Sequence, residues 1–290
     1  MITSRENRSA KTLPFLKIEA STMSPKIHLD IEKVQKNIKL QGGPSTLEEA
    51  FFHSSFNGFN EHDLQVDHIW AIVSVAAQCE TAVEFGVRRG VTTLGITFGL
   101  AHSEKKNPSL TSYDIELIGL DQHGLNWPGF IEAARERGVD CKFILGNSRK
   151  VSIPETDLLF IDSYHSYSHF MEEIRLHLHK AKKYIIMHDS SATGTFGLID
   201  QKEGYDQTHD YKNYEKEGMH NAAMDFAELH GDEWEIFYHD DTGEGLTIFV
   251  TKNKEMRSKE FFYDTTPYSL TKAGRDPREG IIDNGEKNSN

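Results

Sequence analysis

Two short segments constrain the fold of this chain more than anything else in it. Asp157-Leu158-Leu159-Phe160-Ile161 and Tyr184-Ile185-Ile186-Met187 are almost wholly apolar, and each runs straight into polar residues, Asp162 and His188-Asp189. A strand with apolar side chains at every second position is buried on one face. One that is apolar throughout is buried on both, as in a parallel sheet covered by helices. Other runs of strand length recur: residues 81–85, ending at Gly86; 110–115; 141–145, ending at Gly146; and a late pair, 234–238 and 246–250.

Helical patterns fall between these runs. Residues 64–79 precede the first strand and 91–102 follow it. Asn126 can cap a third helix, Pro128 suits its first turn, and Gly138 closes it. Phe170, Ile174, Leu178 and Ala181 recur at helical spacing after the fourth strand. The same pattern puts Glu172 and Glu173 in the first turn and Lys180, Lys182 and Lys183 at the end, as the helix dipole favours. Residues 218–229 make the last helix. Strand–helix alternation closing on a hairpin pair predicts an α/β fold, a Rossmann-like doubly wound sandwich.

The body of this fold is residues 45–252. Residues 1–44 read as an N-terminal arm that is partly disordered, ending at Gly42-Gly43-Pro44, and 253–290 as a polar C-terminal tail. Hydrophobic residues make up only 37% of the chain, a dilution that comes largely from these two ends. The net charge of −13 excludes a phosphate-gripping surface and an anionic membrane surface as first expectations, so neither nucleic acid nor membrane is expected as a partner. Residues 1–50 hold eight Lys/Arg and six Asp/Glu, so the acidity belongs to the rest of the chain. No apolar run reaches the roughly 18 residues of a membrane helix. Cys79 and Cys141 are too few for a disulfide framework and read as small core residues, which points to a reducing, cytoplasmic setting.

The chemistry gathers at the strand ends. Glu84-Phe85-Gly86-Val87-Arg88-Arg89-Gly90 closes the first strand and opens a helix, and Gly86 and Gly90 allow a sharp turn close to a ligand. This is not the G-x-G-x-x-G of a dinucleotide site, and Glu84 suits a cationic amino acid better than a pyrophosphate. A tight structural turn would leave the same trace. Asp114 ends the second strand, where a carboxylate accepts hydrogen bonds from ribose hydroxyls. Asn147 and Ser148 end the third, polar groups able to meet an adenine edge.

Asp162 and Asp189 end the fourth and fifth strands, so a parallel sheet brings both carboxylates to one edge. There they need a shared proton or a cation, and their oxygens suit Mg²⁺ or Mn²⁺. Capping of the following helix or loop is the plainer role. His188 is a candidate third ligand, or a packed histidine. His165, three residues past Asp162, is placed to take a proton from a hydroxyl, or else to sit exposed at a helix entry. His169, His177 and His179 lack metal-site spacing and read as surface or partly packed. The polar stretch 199–218 follows the fifth strand, where a lid over an acceptor would lie, or is simply a solvated insertion. Trp127 and Tyr164 are candidates to wall an adenine pocket, or to pack between helix and sheet.

Glu84–Gly90, Asp114, Gly146-Asn147-Ser148, and Asp162 with His188-Asp189 come in the order found in class I S-adenosylmethionine-dependent methyltransferases. Residues 80–252 resemble most the group of cephalosporin-hydroxylase-like and macrocin-type O-methyltransferases, through Phe160-Ile161-Asp162-Ser163-Tyr164-His165-Ser166-Tyr167 and Gly245-Leu246-Thr247-Ile248-Phe249. The resemblance implies a mostly parallel seven-stranded sheet with helices on both faces and an antiparallel last strand. It implies S-adenosylmethionine held by Glu84, Gly86, Gly90, Asp114, Asn147, Ser148 and Asp162. It also implies a divalent metal on Asp162 and Asp189, with His188 beside them, and a catalytic pair Asp162 and His165. The activity implied is methyl transfer to a hydroxyl of a small molecule or sugar. His188 and Ser190 depart from related metal-dependent members, which have a carboxylate and an asparagine there. A nicotinamide-dependent oxidoreductase and a non-catalytic cofactor-binding scaffold are the competing expectations, and a homo-oligomer built by exchange of the arm stays open.

Overall fold

The computed structural model describes residues 46, 47, 49–51, 66–116, 127–201 and 216–256. The arm 1–44, the tail beyond 256, Asn126, the Trp127 side chain and residues 202–215 of the expected lid lie outside them. In chain order the elements are α1 (Val66–Ala76), β1 (Thr81–Phe85), α2 (Val91–Ala101), β2 (Ser109–Asp114), α3 (Trp127–Glu136) and β3 (Asp140–Leu145). They continue with β4 (Thr156–Ile161), α4 (Tyr167–His177), β5 (Ala181–His188), α5 (Met219–Leu229), β6 (Trp234–Asp240) and β7 (Leu246–Thr251).

The strands form one sheet in the order β3-β2-β1-β4-β5-β7-β6. All pairings from β3 through to β5 are parallel, while β7 is antiparallel to both β5 and β6. The order reverses between β1 and β4: from β1 the sheet builds outward through β2 and β3 on one side and through β4 and β5 on the other. Ligands of open α/β sheets bind at such a switch point, beyond the carboxyl ends of the strands. The fold is the expected Rossmann-like doubly wound sandwich.

Successive strand side chains point to opposite faces, and the core divides accordingly. Leu158, Phe160, Tyr184, Ile186 and Ile248 pack with α1, α2 and α3 on one side. Leu159, Ile161, Ile185, Met187 and Phe249 pack with α4 and α5 on the other. This is why β4 and β5 are apolar throughout. Helices α1 and α2 lie against each other, and Gly99 permits their close approach: a Cβ there would lie 2.5 Å from the Val73 carbonyl oxygen. Thr46 and Glu49 cap a helical turn reciprocally, each side chain accepting from the other's backbone N–H at 3.2 and 3.3 Å. That turn seats Phe51 face to face on Phe98, with ring centroids 4.3 Å apart.

Two boundaries differ from the sequence reading. Helix α4 starts at Tyr167 with Ser166 as its cap, so Glu172 and Glu173 lie mid-helix instead of in the first turn. Ala181 belongs to β5, and Lys182 and Lys183 stand on the strand, paired with Glu155 and Asp157 at 3.0 and 2.8 Å. The apolar spacing carries through Leu178 and Ala181, so periodicity alone does not mark where the helix gives way to the strand. Cys79 and Cys141 are free and buried, as expected of core residues. Among the described residues no helix is long and apolar enough to cross a membrane.

Truncating the fully buried Phe160 to alanine is expected to destabilise the protein by about 3–5 kcal/mol through lost burial and a central cavity. The measurement is urea denaturation of both proteins, read at constant m-value.

Candidate active site

The loop after β1 is shaped by a contact between backbones. Gly86 has φ of +87°, and a Cβ on it would lie 1.9 Å from the Asp162 carbonyl oxygen. Asp162 in turn donates its N–H to the Phe85 carbonyl at 2.8 Å. The loop and the end of β4 are therefore one unit. Beyond Gly86, the N–H groups of Val87 and Arg88 both donate to Asp114 Oδ2, at 2.8 and 3.0 Å. Gly90, at φ of +79°, starts α2. The acid that ends β2 thus holds the turn that ends β1.

Glu84 lies beneath this turn, closed off from solvent. Its carboxyl accepts from the hydroxyls of Thr92 (2.6 Å), Thr93 (2.8 Å) and Ser112 (2.5 Å). Burial pushes it up to about 7, against the pull of the three hydroxyls. In this structure Glu84 fastens β1, β2 and the first turn of α2 from below.

Across the switch point, β4 and β5 deliver Asp162, His165, His188 and Asp189 to one place. His165 Nε2 lies 3.1 Å from Asp162 and 2.8 Å from Asp189. His188 Nδ1 lies 3.4 Å from Asp162 and 3.1 Å from Asp189. Each carboxylate meets both imidazoles, so two negative and two positive groups balance within a nearly closed space. Burial opposes charge on all four. The two imidazoles nevertheless hold Asp189 well below the carboxylate range and also lower Asp162. The carboxylates raise His188 well above its ordinary value and His165 to about 9. Asp189 sits in the left-handed region at φ of +56°, which aspartate tolerates better than most residues.

One ligand atom from each of Asp162, His188 and Asp189 lies within 4.8 Å of the others, spacing that suits a shared metal ion. His188 Nε2 is buried without a hydrogen-bond partner among the described residues, while Nδ1 faces the two carboxylates. The donor set of two carboxylates and an imidazole therefore fits a divalent cation.

Two further features escaped the sequence reading. His169 and His177 are buried, not on the surface. His169 Nε2 bridges Ser148 Oγ (3.4 Å) and the fully buried Glu173 (3.1 Å), Glu173 accepts from Ser163 (2.6 Å), and His177 Nε2 donates to the Ser148 carbonyl (2.6 Å). This network ties the ends of β3 and β4 through α4, and it turns both the hydroxyl and the carbonyl of Ser148 inward. Its signal was there to read: His169, Glu173 and His177 follow at intervals of four beside the apolar stripe of α4. The second feature is the described start of the segment that follows β5. Gln201 donates its N–H to the His165 carbonyl at 2.7 Å, its own carbonyl accepts from the Tyr164 hydroxyl at 2.5 Å, and Phe196 lies 4.7 Å from His165 ring to ring. Asp200 caps both sides, accepting from the N–H groups of Tyr167 (2.8 Å) and Gly218 (2.7 Å). Tyr164 is thereby committed to this clasp.

No family model and no curated protein matches the chain. Solved structures do. An O-methyltransferase from Bacillus cereus in complex with S-adenosylhomocysteine is similar over 76% of this chain and 97% of its own, at 16% identity and TM-score 0.43. An S-adenosylhomocysteine-bound methyltransferase from Podospora anserina matches over 81% and 100%, at 15% identity and TM-score 0.43. An O-methyltransferase of tomaymycin synthesis from Streptomyces achromogenes, in complex with S-adenosylmethionine, matches over 77% and 99%, at 12% identity and TM-score 0.40.

The Glu84 carboxyl has an ordinary value of 4.5 and reaches about 7 in the folded protein. The fold therefore favours its protonated form. Its contribution to stability is full below the ordinary value and is lost as pH rises through about 7. Replacing Glu84 by Gln is expected to flatten the fall of the thermal midpoint between about pH 5 and 8, checked by calorimetric melts of both proteins across that range.

Proposed function

We propose that the chain is an S-adenosylmethionine-dependent O-methyltransferase acting on a hydroxyl of a small molecule or sugar. The observation that carries this reading is the contact of Gly86 with Asp162, which joins a ligand-binding turn to a buried acid–imidazole cluster with no element between them. A donor lying on the turn has its reactive end beside a cluster where an acceptor can be held and deprotonated.

Asp114 has one carboxylate oxygen on the loop N–H groups and Oδ1 on the Glu116 N–H at 3.1 Å, an acceptor pair at the ribose position. Gly86 and Gly90 bring the backbone close to the cofactor, with Glu84 fixing them from below. Asn147 and Ser148 stand at the adenine end through their backbone N–H groups, since the Asn147 side chain accepts from the Arg149 N–H at 2.9 Å and the hydroxyl and carbonyl of Ser148 are turned inward. The acceptor oxygen attacks the sulfonium methyl carbon, the carbon–sulfur bond breaks with its electron pair going to sulfur, and the hydroxyl proton passes to the Asp162 carboxylate. Proximity and alignment supply most of the acceleration.

His165 holds a proton at Nε2 between Asp162 and Asp189, so it is the group through which a proton enters or leaves the cluster. Asp162, at the mouth, orients the acceptor, while Asp189 and His188 lie deeper. Phe196 covers His165 and excludes water from that side. Asp162, His188 and Asp189 would hold a divalent ion such as Mg²⁺ or Mn²⁺, which when bound supplies Lewis acidity that lowers the pKa of a coordinated hydroxyl.

Calorimetry is expected to give binding of S-adenosylhomocysteine and none of NAD; the reverse result would replace this reading by the oxidoreductase one. Substituting Asp114 by Ala is expected to weaken cofactor binding by about tenfold or more, since a hydrogen bond to a charged group contributes about 1.5–3 kcal/mol. Substituting His165 by Ala is expected to lower turnover by about 10²–10⁴ with cofactor affinity retained. Single-turnover methylation of a hydroxyl-compound panel measures it, and full turnover in chelator by the double variant Asp162→Asn/Asp189→Asn would remove both the metal and the acid pair from the mechanism.

A further inference from the structure

A second group of ligand-type side chains lies on the other side of the Asp189 turn. His220 is in the first turn of α5, His239 is in β6, and Asp241 follows β6 directly. One ligand atom of each lies within 4.8 Å of the other two. The two imidazole rings are 5.7 Å apart. His239 Nε2 is 3.2 Å from Asp241 Oδ1.

Hydrogen-bond direction decides which nitrogens are available. His220 Nδ1 lies 3.2 Å from the Ser190 carbonyl oxygen, which can only accept, so that nitrogen carries the proton. The neutral His220 ring thus keeps its lone pair on Nε2. His239 Nδ1 lies 2.8 Å from the Thr247 hydroxyl, which is 2.7 Å from the Ser190 hydroxyl. A ring N–H donated to a carbonyl or hydroxyl is the second contact that metal-bound histidines make, and it fixes both tautomer and orientation.

His239 Nε2 faces the Asp241 carboxylate at 3.2 Å, so an ion placed there meets a nitrogen and an oxygen together. Asp241 is itself positioned, with Oδ1 accepting from the Ala192 N–H at 2.8 Å. Its side chain is 52% exposed, which leaves an open path for an ion from solvent.

We propose that His220, His239 and Asp241 form a binding site for a divalent transition-metal ion, with water completing the coordination. Two imidazoles and one carboxylate select borderline ions such as Zn²⁺ or Co²⁺ over Mg²⁺. This site is separate from the Asp162–His188–Asp189 group and does not depend on the methyl-transfer reading. Its effect is mechanical. The ion ties the start of α5 to the end of β6, and through the Ser190 carbonyl and the Thr247 hydroxyl it braces the residue that follows Asp189. Occupancy therefore steadies one carboxylate of the first cluster without touching it.

The test is a Co²⁺ titration of the full chain, freed of chelator, followed by visible absorption and by bound metal per chain. In the Asp162→Asn/Asp189→Asn background the chain is expected to bind one equivalent of Co²⁺, and adding His220→Gln and His239→Gln is expected to abolish that binding. In the otherwise unaltered chain, Asp241→Asn alone is expected to weaken one equivalent by about tenfold or more, the loss of one charged ligand. That variant keeps an oxygen for the Ala192 N–H and carries the test if the others do not fold. No bound Co²⁺ in the double-Asn background overturns the proposal, as does Co²⁺ affinity indifferent to Asp241→Asn and His239→Gln. Failure to bind S-adenosylhomocysteine with the Co²⁺ site intact would instead overturn the methyltransferase reading alone.

Discussion

A parallel sheet buried on both faces leaves its strands only one place for working polar groups, the ends. Leu158 to Ile161 and Tyr184 to Met187 are each fully enclosed, so the first side chains able to carry charge are those that follow them, Asp162 and His188-Asp189. The rest of the site depends on that constraint. Parallel pairing brings both ends to the same edge, and the reversal of strand order between β1 and β4 opens the crevice there. The Gly86 turn then fills the floor of the crevice by resting its backbone on that of Asp162.

Two carboxylates brought together out of water would repel and drive one of them to take up a proton. Here His165 and His188 each meet both acids, so the charges persist in pairs. A cluster of this kind adds little net stability, because desolvation consumes most of the Coulombic gain. What it maintains is a set of charged groups fixed at the mouth of the fold, in an environment where field effects are strong. The clasp of Asp200 and Gln201 serves the same end: it fastens the backbone of His165 and Tyr167 to the segment that follows β5.

Much of this was legible in the sequence, and the parts that were not share a cause. The strand-end residues were legible because their neighbours announce them: a polar residue after a continuous apolar run lies at a strand end whatever the tertiary details. The roles of Glu84 and Ser148 were not. Both stand at strand ends, yet Glu84 faces Thr92, Thr93 and Ser112 beneath the turn, and Ser148 faces His169 and His177. Which way an end residue points is decided by which helix packs over it. The end of α4 was misplaced for a related reason, since Leu178 and Ala181 continue an apolar spacing that serves equally well as the close of a helix and the opening of a strand.

The sequence by itself determined the layered α/β architecture, the seven strands and the identity of the acids and histidines at their ends, because burial on both faces writes itself into consecutive residues. Only the tertiary structure decided how those groups share charge. His188 and Asp189 are neighbours in the chain, but His165 comes to Asp189 from the loop that follows β4. His220, His239 and Asp241 come together from a helix and a strand that local pattern does not relate. Distances of 3 Å across elements depend on packing angles and strand register, which are set by the whole core and not by any window of residues.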